Sequence, residues 1–107
     1  MAITIDGTTA TGSDTDGGGV TVTVPAVTNR VHIVTEIAAS GDAAALVTVE
    51  SPASTVLWRQ RFSGAFTLNK TFAPGVMKGA DGQAVLVKVS AATTNSEANI
   101  STYTIDY

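Results

Sequence analysis

The chain has no cysteine, a single histidine and few charged side chains among its 107 residues. Without cysteine it cannot be a disulfide-stapled module, a thiol enzyme or a cysteine-ligated zinc protein. Charged residues make up 14% of the sequence, whereas an ordinary soluble domain has about 25%. Six basic residues against nine acidic ones provide no electrostatic footprint for nucleic acid. We therefore expect no nucleic-acid partner.

β-Branched residues are abundant and favour strands over helices. Val, Ile and Thr together occupy 36 positions, and their side chains suit the pleated surface of a sheet. The length fits one domain, so we expect residues 1–107 to form a single β domain. Residues 1–6 lack the basic and apolar regions of a signal peptide. No apolar stretch approaches the roughly 20 residues that cross a bilayer, so we expect no membrane partner.

Period-2 patterns bounded by turn-forming residues predict about eight strands. The predicted strands are Ile3–Ile5, Val20–Val24, Arg30–Ala38, Leu46–Glu50, Thr55–Phe62, Phe66–Phe72, Gln83–Ala91 and Ala98–Asp106. Most lie roughly 8 to 15 residues apart, a spacing typical of an antiparallel β-sandwich or barrel. The dipeptide Pro74-Gly75 predicts a type II turn.

Strict alternation within two of these strands assigns side chains to opposite faces. In the strand that begins at Arg30, one face should carry Val31, Ile33 and Ile37, and the other His32, Val34 and Glu36. In the strand that begins at Thr55, one face should carry Val56 and Trp58, and the other Leu57, Arg59 and Arg61.

The segment 8–19 differs in kind from the rest of the chain. It consists mainly of Thr, Gly and Asp with one apolar residue, Ala10. Such a segment cannot bury enough surface to offset its ordering entropy. The sequence therefore predicts a mobile loop or arm here, and we expect its deletion to leave the fold intact while weakening docking.

Residue types that serve catalysis or metal binding occur without a recognisable pattern. His32 is the only imidazole, it lies in mid-strand, and no Gly-x-Ser-x-Gly elbow occurs. We expect it to face solvent or a subunit contact, and a hydrolase with His32 as base is a third-ranked hypothesis. The turn at Asp14 to Gly17 resembles a fragment of a calcium loop, but Gly18 and Pro25 stand where further ligands are required. We expect no enzymatic activity, no metal and no cofactor.

The most distinctive local segment runs from Trp58 to Phe62. Tryptophan and arginine are enriched at binding hot spots. One interpretation places Trp58 in the core and leaves the arginines solvated. The other places Arg59 and Arg61 against carboxylates such as Glu36 or Glu50 of a neighbouring strand or subunit. The candidate interface residues are Trp58, Arg59, Arg61, Phe62, Glu36 and His32. With so few charges the outer faces must expose Val and Ala, which favours a homo-oligomer or a subunit docked on a larger assembly.

The strand and turn pattern of residues 29–107 resembles small structural proteins of tailed bacteriophages. The resemblance rests on Val31 to Gly41, followed by Leu46 to Val49 and Thr55 to Trp58. In the second half it rests on Phe72-Ala73-Pro74-Gly75, the turn Gly79 to Gln83, the strand Val85 to Val89, and the closing strand Ala98 to Ile105. The Gly/Asp-rich segment 11–19 has no counterpart in that pattern.

This resemblance implies a jelly-roll-like β-sandwich on the virion, assembled in the host cytoplasm and often trimeric. It implies a head decoration or cement protein that contacts the major capsid protein or another virion protein. The alternative is a receptor- or carbohydrate-binding module of a tail fibre. Such a module would stack sugars on exposed aromatics, for which Trp58, Tyr103 and Tyr107 are the candidates.

Overall fold

A computed structural model describes residues 6–90 and 95–106, and within these residues the secondary structure consists of nine strands. They are β1 (Asp6–Asp14), β2 (Val20–Val24), β3 (Arg30–Gly41), β4 (Ala45–Glu50), β5 (Val56–Phe62), β6 (Phe66–Thr71), β7 (Met77–Lys78), β8 (Val85–Val89) and β9 (Ser96–Asp106). Those residues contain no helix, which confirms the all-β prediction. The predicted strand at Ile3–Ile5 lies outside the described residues.

The strands form two antiparallel sheets with jelly-roll connectivity. Sheet A has the order β1-β9-β3-β6, with β7 beside β3, and sheet B has the order β2-β8-β4-β5. Early strands pair with late ones: β1 with β9, β2 with β8, β3 with β6, and β4 with β5. This is the pairing of one long hairpin rolled into two packed sheets, as in the jelly roll. The predicted jelly-roll-like sandwich is therefore confirmed.

The core lies between the sheets and is built mainly from valines. In β2 every valine is buried and every threonine is exposed, as the period-2 pattern predicts. The buried core cluster includes Val22, Val47, Val87, Ile37 and Ile100. Burial of such side chains contributes about 1.5–3 kcal/mol each, so the alternating valines are the main stabilising feature of the sandwich.

A β-bulge in β3 overturns the predicted assignment of its faces. Val34 pairs with Thr102 but Glu36 pairs with Ser101, so Thr35 is an extra residue. An extra residue reverses the alternation beyond it. Val31 and Ile33 therefore share the outer face with Glu36, although both are buried. The inner face carries His32, Val34 and Ile37, the last two in the core cluster.

A second bulge has the same effect in β5. Val49 pairs with Trp58 and Glu50 pairs with Val56, so Leu57 is the extra residue. Trp58 consequently points inward, whereas Val56 is on the outer face and 47% exposed. The prediction that Val56 and Trp58 share a face is wrong for this reason.

The segment predicted as a mobile arm forms a strand over most of its length. β1 pairs with β9 without interruption from Asp6 to Asp14, and only residues 15–19 form a turn, with positive φ at Gly17 and Gly19. Gly12 faces β2 so closely that an added Cβ would lie 2.8 Å from Val22 Cγ2. The prediction assumed that only buried apolar side chains could hold this segment in place. Hydrogen bonding to β9 and the close packing of small residues against β2 hold it instead. The expectation of an irregular segment is wrong for Thr8 to Asp14.

The predicted turn at Pro74-Gly75 is confirmed. Gly75 has φ 74°, the value that position i+2 of a type II turn requires, and the Val76 N–H donates to the Ala73 carbonyl at 3.1 Å. This turn leads into the short strand β7, which pairs with β3 and which the sequence patterns did not predict. No helix in the described part of the chain is long and apolar enough to cross a membrane.

Candidate assembly interface

One lateral side of the sandwich is formed by the last strand of each sheet. β5 ends the order of sheet B, β6 ends that of sheet A, and residues 63–65 connect them. We call this side, residues 56–72, the β5–β6 edge. A terminal strand presents unpaired N–H and C=O groups, which is why sheet edges are sites where other chains add.

Aromatic pairs hold the two sheets together along the β5–β6 edge. Phe62 and Phe66 stack with centroids 4.2 Å apart and planes inclined by 9°. Trp58 meets Phe72 edge to face at 5.9 Å. Trp58, Phe62 and Phe66 remain only half-buried although they pack against the core. The edge therefore presents partly exposed aromatic surface, the kind that anchors protein contacts.

Arg59 and Arg61 project from the outer face of the same strand. They are exposed, and their register partners are Thr48 and Leu46. Lys88, also exposed, pairs with Thr48 from the other side, so three cations lie on one outer face. Neither arginine forms an ion pair within the part of the chain that the structure describes. Trp58 is thus packed against the core while the arginines are solvated, as the first of the two interpretations has it.

Glu50 is not available to these arginines. It is 7% exposed; its Oε2 accepts a hydrogen bond from the Thr48 hydroxyl at 2.7 Å and its Oε1 accepts one from the Ser54 N–H at 2.6 Å. Burial raises the pKa of the carboxyl, but the two hydrogen bonds and the charge of Lys88 together outweigh it, and the pKa lies below its ordinary value. Both carboxylate oxygens of Glu50 therefore have hydrogen-bond partners within the chain.

Glu36 lies on the outer face of the other sheet. It is exposed and stands between Ser101 of β9 and Thr71 of the terminal strand β6. Packed sheets are about 10 Å apart, so the sandwich separates Glu36 from the arginines within one chain. The charged residues of the β5–β6 edge itself, Arg59, Arg61 and Lys70, are all basic. Glu36 places a carboxylate on the outer face of sheet A, on β3, one strand in from this edge.

His32 does not belong to this interface. It is 2% exposed and lies on the inner face, where Nε2 is 2.8 Å from the Pro25 carbonyl. A carbonyl only accepts hydrogen bonds, so Nε2 is the protonated nitrogen. The prediction that His32 faces solvent or a subunit is wrong because the bulge at Thr35 and the pairing with Thr104 fix it inside.

The β5–β6 edge contains four further residues that sequence analysis did not single out as interface candidates. They are Phe66, Leu68, Lys70 and Phe72. The apolar alternation of Phe66, Leu68 and Phe72 was visible in the sequence. The sequence does not show, however, that β5 and β6 are the terminal strands of two different sheets.

The aromatics proposed for sugar stacking do not converge. Trp58 points into the sandwich from sheet B, whereas Tyr103 pairs with Ile33 on the outer face of sheet A. Tyr107 lies outside the described residues. An open groove of about 590 Å³ lies instead beside Phe66, Asp42, Asn95 and Glu97, and neither Trp58 nor Tyr103 lines it.

No family model matches the chain, and no curated protein matches it. Among solved structures, the chain is similar to the virus-like particle of the extra small virus (XSV) of the giant freshwater prawn Macrobrachium rosenbergii, determined by cryo-EM. The match has 14% sequence identity and a TM-score of 0.41, and it covers 97% of this chain and 80% of that one.

Proposed function

We propose that the protein is a non-enzymatic structural component of a virion, and specifically a head decoration or cement protein of a tailed bacteriophage. It acts through protein–protein contacts, as a homo-oligomer with a trimer favoured, docked on the major capsid protein or another virion protein. Its place is the virion, assembled in the host cytoplasm. No nucleic acid, membrane or cofactor takes part.

The observation that carries this proposal is the β5–β6 edge. Partly exposed aromatics and two unpaired strand edges occur together there. Arg59 and Arg61 lie on this edge, and Glu36 lies one strand in from it, on β3. Apolar anchors surrounded by charged groups are the usual anatomy of a protein interface. The jelly-roll topology and the phage-like pattern of residues 29–107 support the same function, since this fold is frequent in viral capsid proteins.

Contact between copies supplies the partner that each charge lacks. Arg59 and Arg61 of one copy meet Glu36 of the next, because the arginines lie on the outer face of sheet B and Glu36 lies on the outer face of sheet A, beside the terminal strand β6. Such a contact is heterologous, and repeated rotation closes it into a ring. Arginine and carboxylate pair well when partly desolvated, and the pairing fixes the register of the aromatic contact.

Charge-reversal variants followed by sedimentation velocity test this proposal. We expect R59E/R61E and E36R each to dissociate the oligomer to monomers, and the combined variant E36R/R59E/R61E to recover it at least in part. K78E is the matched control, since Lys78 is an exposed cation on β7, and it should keep the wild-type mass. An unchanged mass for R59E/R61E would contradict the proposal, and so would an increased mass, which would mean that the arginines only prevent edge pairing.

Electron microscopy and glycan arrays separate decoration from the alternatives. We expect discrete oligomers and no binding to immobilised glycans. Closed shells formed by the protein alone would identify a shell-forming subunit instead. Specific glycan binding would identify a tail-fibre module instead.

A further inference from the structure

A second feature lies where β1 ends, on the side of the sandwich opposite β6. Asp14, the last residue of β1, stands directly opposite Ser96, the first residue of β9. Gly12 and Ala98, two residues away on each strand, face the core, so Asp14 and Ser96 face inward as well. The Cβ atoms of such a pair lie about 4.5–5.5 Å apart.

Both side chains have a buried oxygen atom without a hydrogen-bond partner. These atoms are Asp14 Oδ2 and Ser96 Oγ, and Ser96 is only 2% exposed. Buried polar atoms in proteins almost always have a partner, so each exception needs an explanation. Two unpartnered oxygens on one face, directly opposite one another, have a common explanation in a ligand between them.

Asp16 brings a second carboxylate to the same place. It lies two residues beyond Asp14, its side chain interacts with that of Asp14, and its Oδ1 accepts the Gly18 N–H at 3.1 Å. Positive φ values at Gly17 and Gly19 turn the chain back towards β2. Two carboxylates this close repel one another unless a proton or a cation lies between them.

We propose that Asp14, Asp16 and Ser96 bind a calcium ion at the end of β1. All three offer oxygen ligands, which hard cations prefer, and Ca²⁺ accepts irregular geometry with water and main-chain carbonyls in its shell. No three carboxylate or histidine side chains converge as a metal group in the described residues, so water and main chain complete the shell. The affinity belongs in the weak range, roughly 10⁻⁴–10⁻³ M.

The site differs from the calcium loop that the sequence fails to match. That motif takes successive ligands from one loop, and Gly18 and Pro25 interrupt it. Here the ligand that follows Asp16 comes from β9, near the other end of the chain. The inference does not depend on the proposed virion function, because it concerns the joint between β1 and β9 within one copy.

Calorimetric unfolding of the full chain with and without CaCl₂ tests the site. At 10 mM CaCl₂, against NaCl of equal ionic strength, we expect the Tm to rise by about 5 °C or more. Asp16→Asn, a change at an exposed residue, should abolish the rise, and Ser96→Ala should reduce it. Asp81→Asn, in the exposed turn before β8, is the matched control and should keep it in full.

Two results would overturn the site. The first is a wild-type Tm that does not respond to CaCl₂. The second is a response of equal size in Asp16→Asn and Asp81→Asn, which would show that calcium acts elsewhere. Equilibrium dialysis with ⁴⁵Ca²⁺ gives an independent readout, with one ion per chain expected for the wild type and none for Asp16→Asn.

Discussion

Substituting Gly12 by alanine tests whether β1 is a packed strand of the sandwich or a mobile arm. An alanine Cβ would lie 2.8 Å from Val22 Cγ2 and 3.2 Å from Val20 Cγ2. Val22 is 5% exposed, and a β-branched side chain has few alternative rotamers. Neither valine can move aside easily, so β1 would have to separate from β2.

The expected cost combines two opposing effects. Overpacking of a close contact costs about 1–3 kcal/mol. Replacing glycine by alanine in a strand, where φ is not positive, stabilises the fold by about 0.5–1 kcal/mol, because it lowers the conformational entropy of the unfolded chain. We therefore expect Gly12→Ala to lower the free energy of unfolding by about 1–2 kcal/mol, or the Tm by roughly 4–16 °C.

Urea unfolding monitored by tryptophan fluorescence measures this difference. Gly64→Ala is the matched control, because an added Cβ there has nothing within 4 Å, and its free energy of unfolding should stay within about 0.5 kcal/mol of the wild type. If Gly12→Ala were as stable as Gly64→Ala, the packing of β1 on β2 described above would be refuted.

Three further changes should have distinct signatures. The fold lowers the pKa of the Glu50 carboxyl from 4.5, so its ionised form stabilises the fold above that value and the stabilisation disappears as the pH falls through the folded-state pKa. Urea unfolding should therefore show Glu50→Gln to be less stable by about 1–3 kcal/mol at pH 7, and an equal deficit in strong acid would contradict this. Gly79→Ala would place a Cβ 2.9 Å from Ser51 Oγ, which bonds the main chain at two points; thermal unfolding should show a loss of about 1–3 kcal/mol, and an unchanged Tm would count against it. Trp58→Ala removes the edge contact with Phe72 and should cost about 2–3 kcal/mol in denaturant unfolding, whereas a neutral effect would show that the indole is not packed.

Strands with one apolar and one polar face could be predicted from the sequence. β2 and β8 lie where the alternating valines predicted strands. The need to bury one face determines both the position of such a strand and which side chains point inward. β1 could not be predicted in this way, because its residues are small and polar and it owes its conformation to pairing with β9. Information about that partner lies at the other end of the chain.

Bulges limited how far the faces of long strands could be assigned. Thr35 and Leu57 each add one residue, and nothing in their identity distinguishes them from regular strand residues. The aromatic pairs of the β5–β6 edge show the same limit. Trp58 and Phe62 stood out by residue type, whereas their partners Phe72 and Phe66 depend on where two terminal strands meet.

The molar mass in solution tests most directly the claim that the protein assembles through its β5–β6 edge. Light scattering behind a sizing column measures it without a partner protein. We expect a mass near three times the chain mass of 10.9 kDa, falling to that of a single chain for R59E/R61E. A mass of one chain for the wild type at every concentration tested would contradict it.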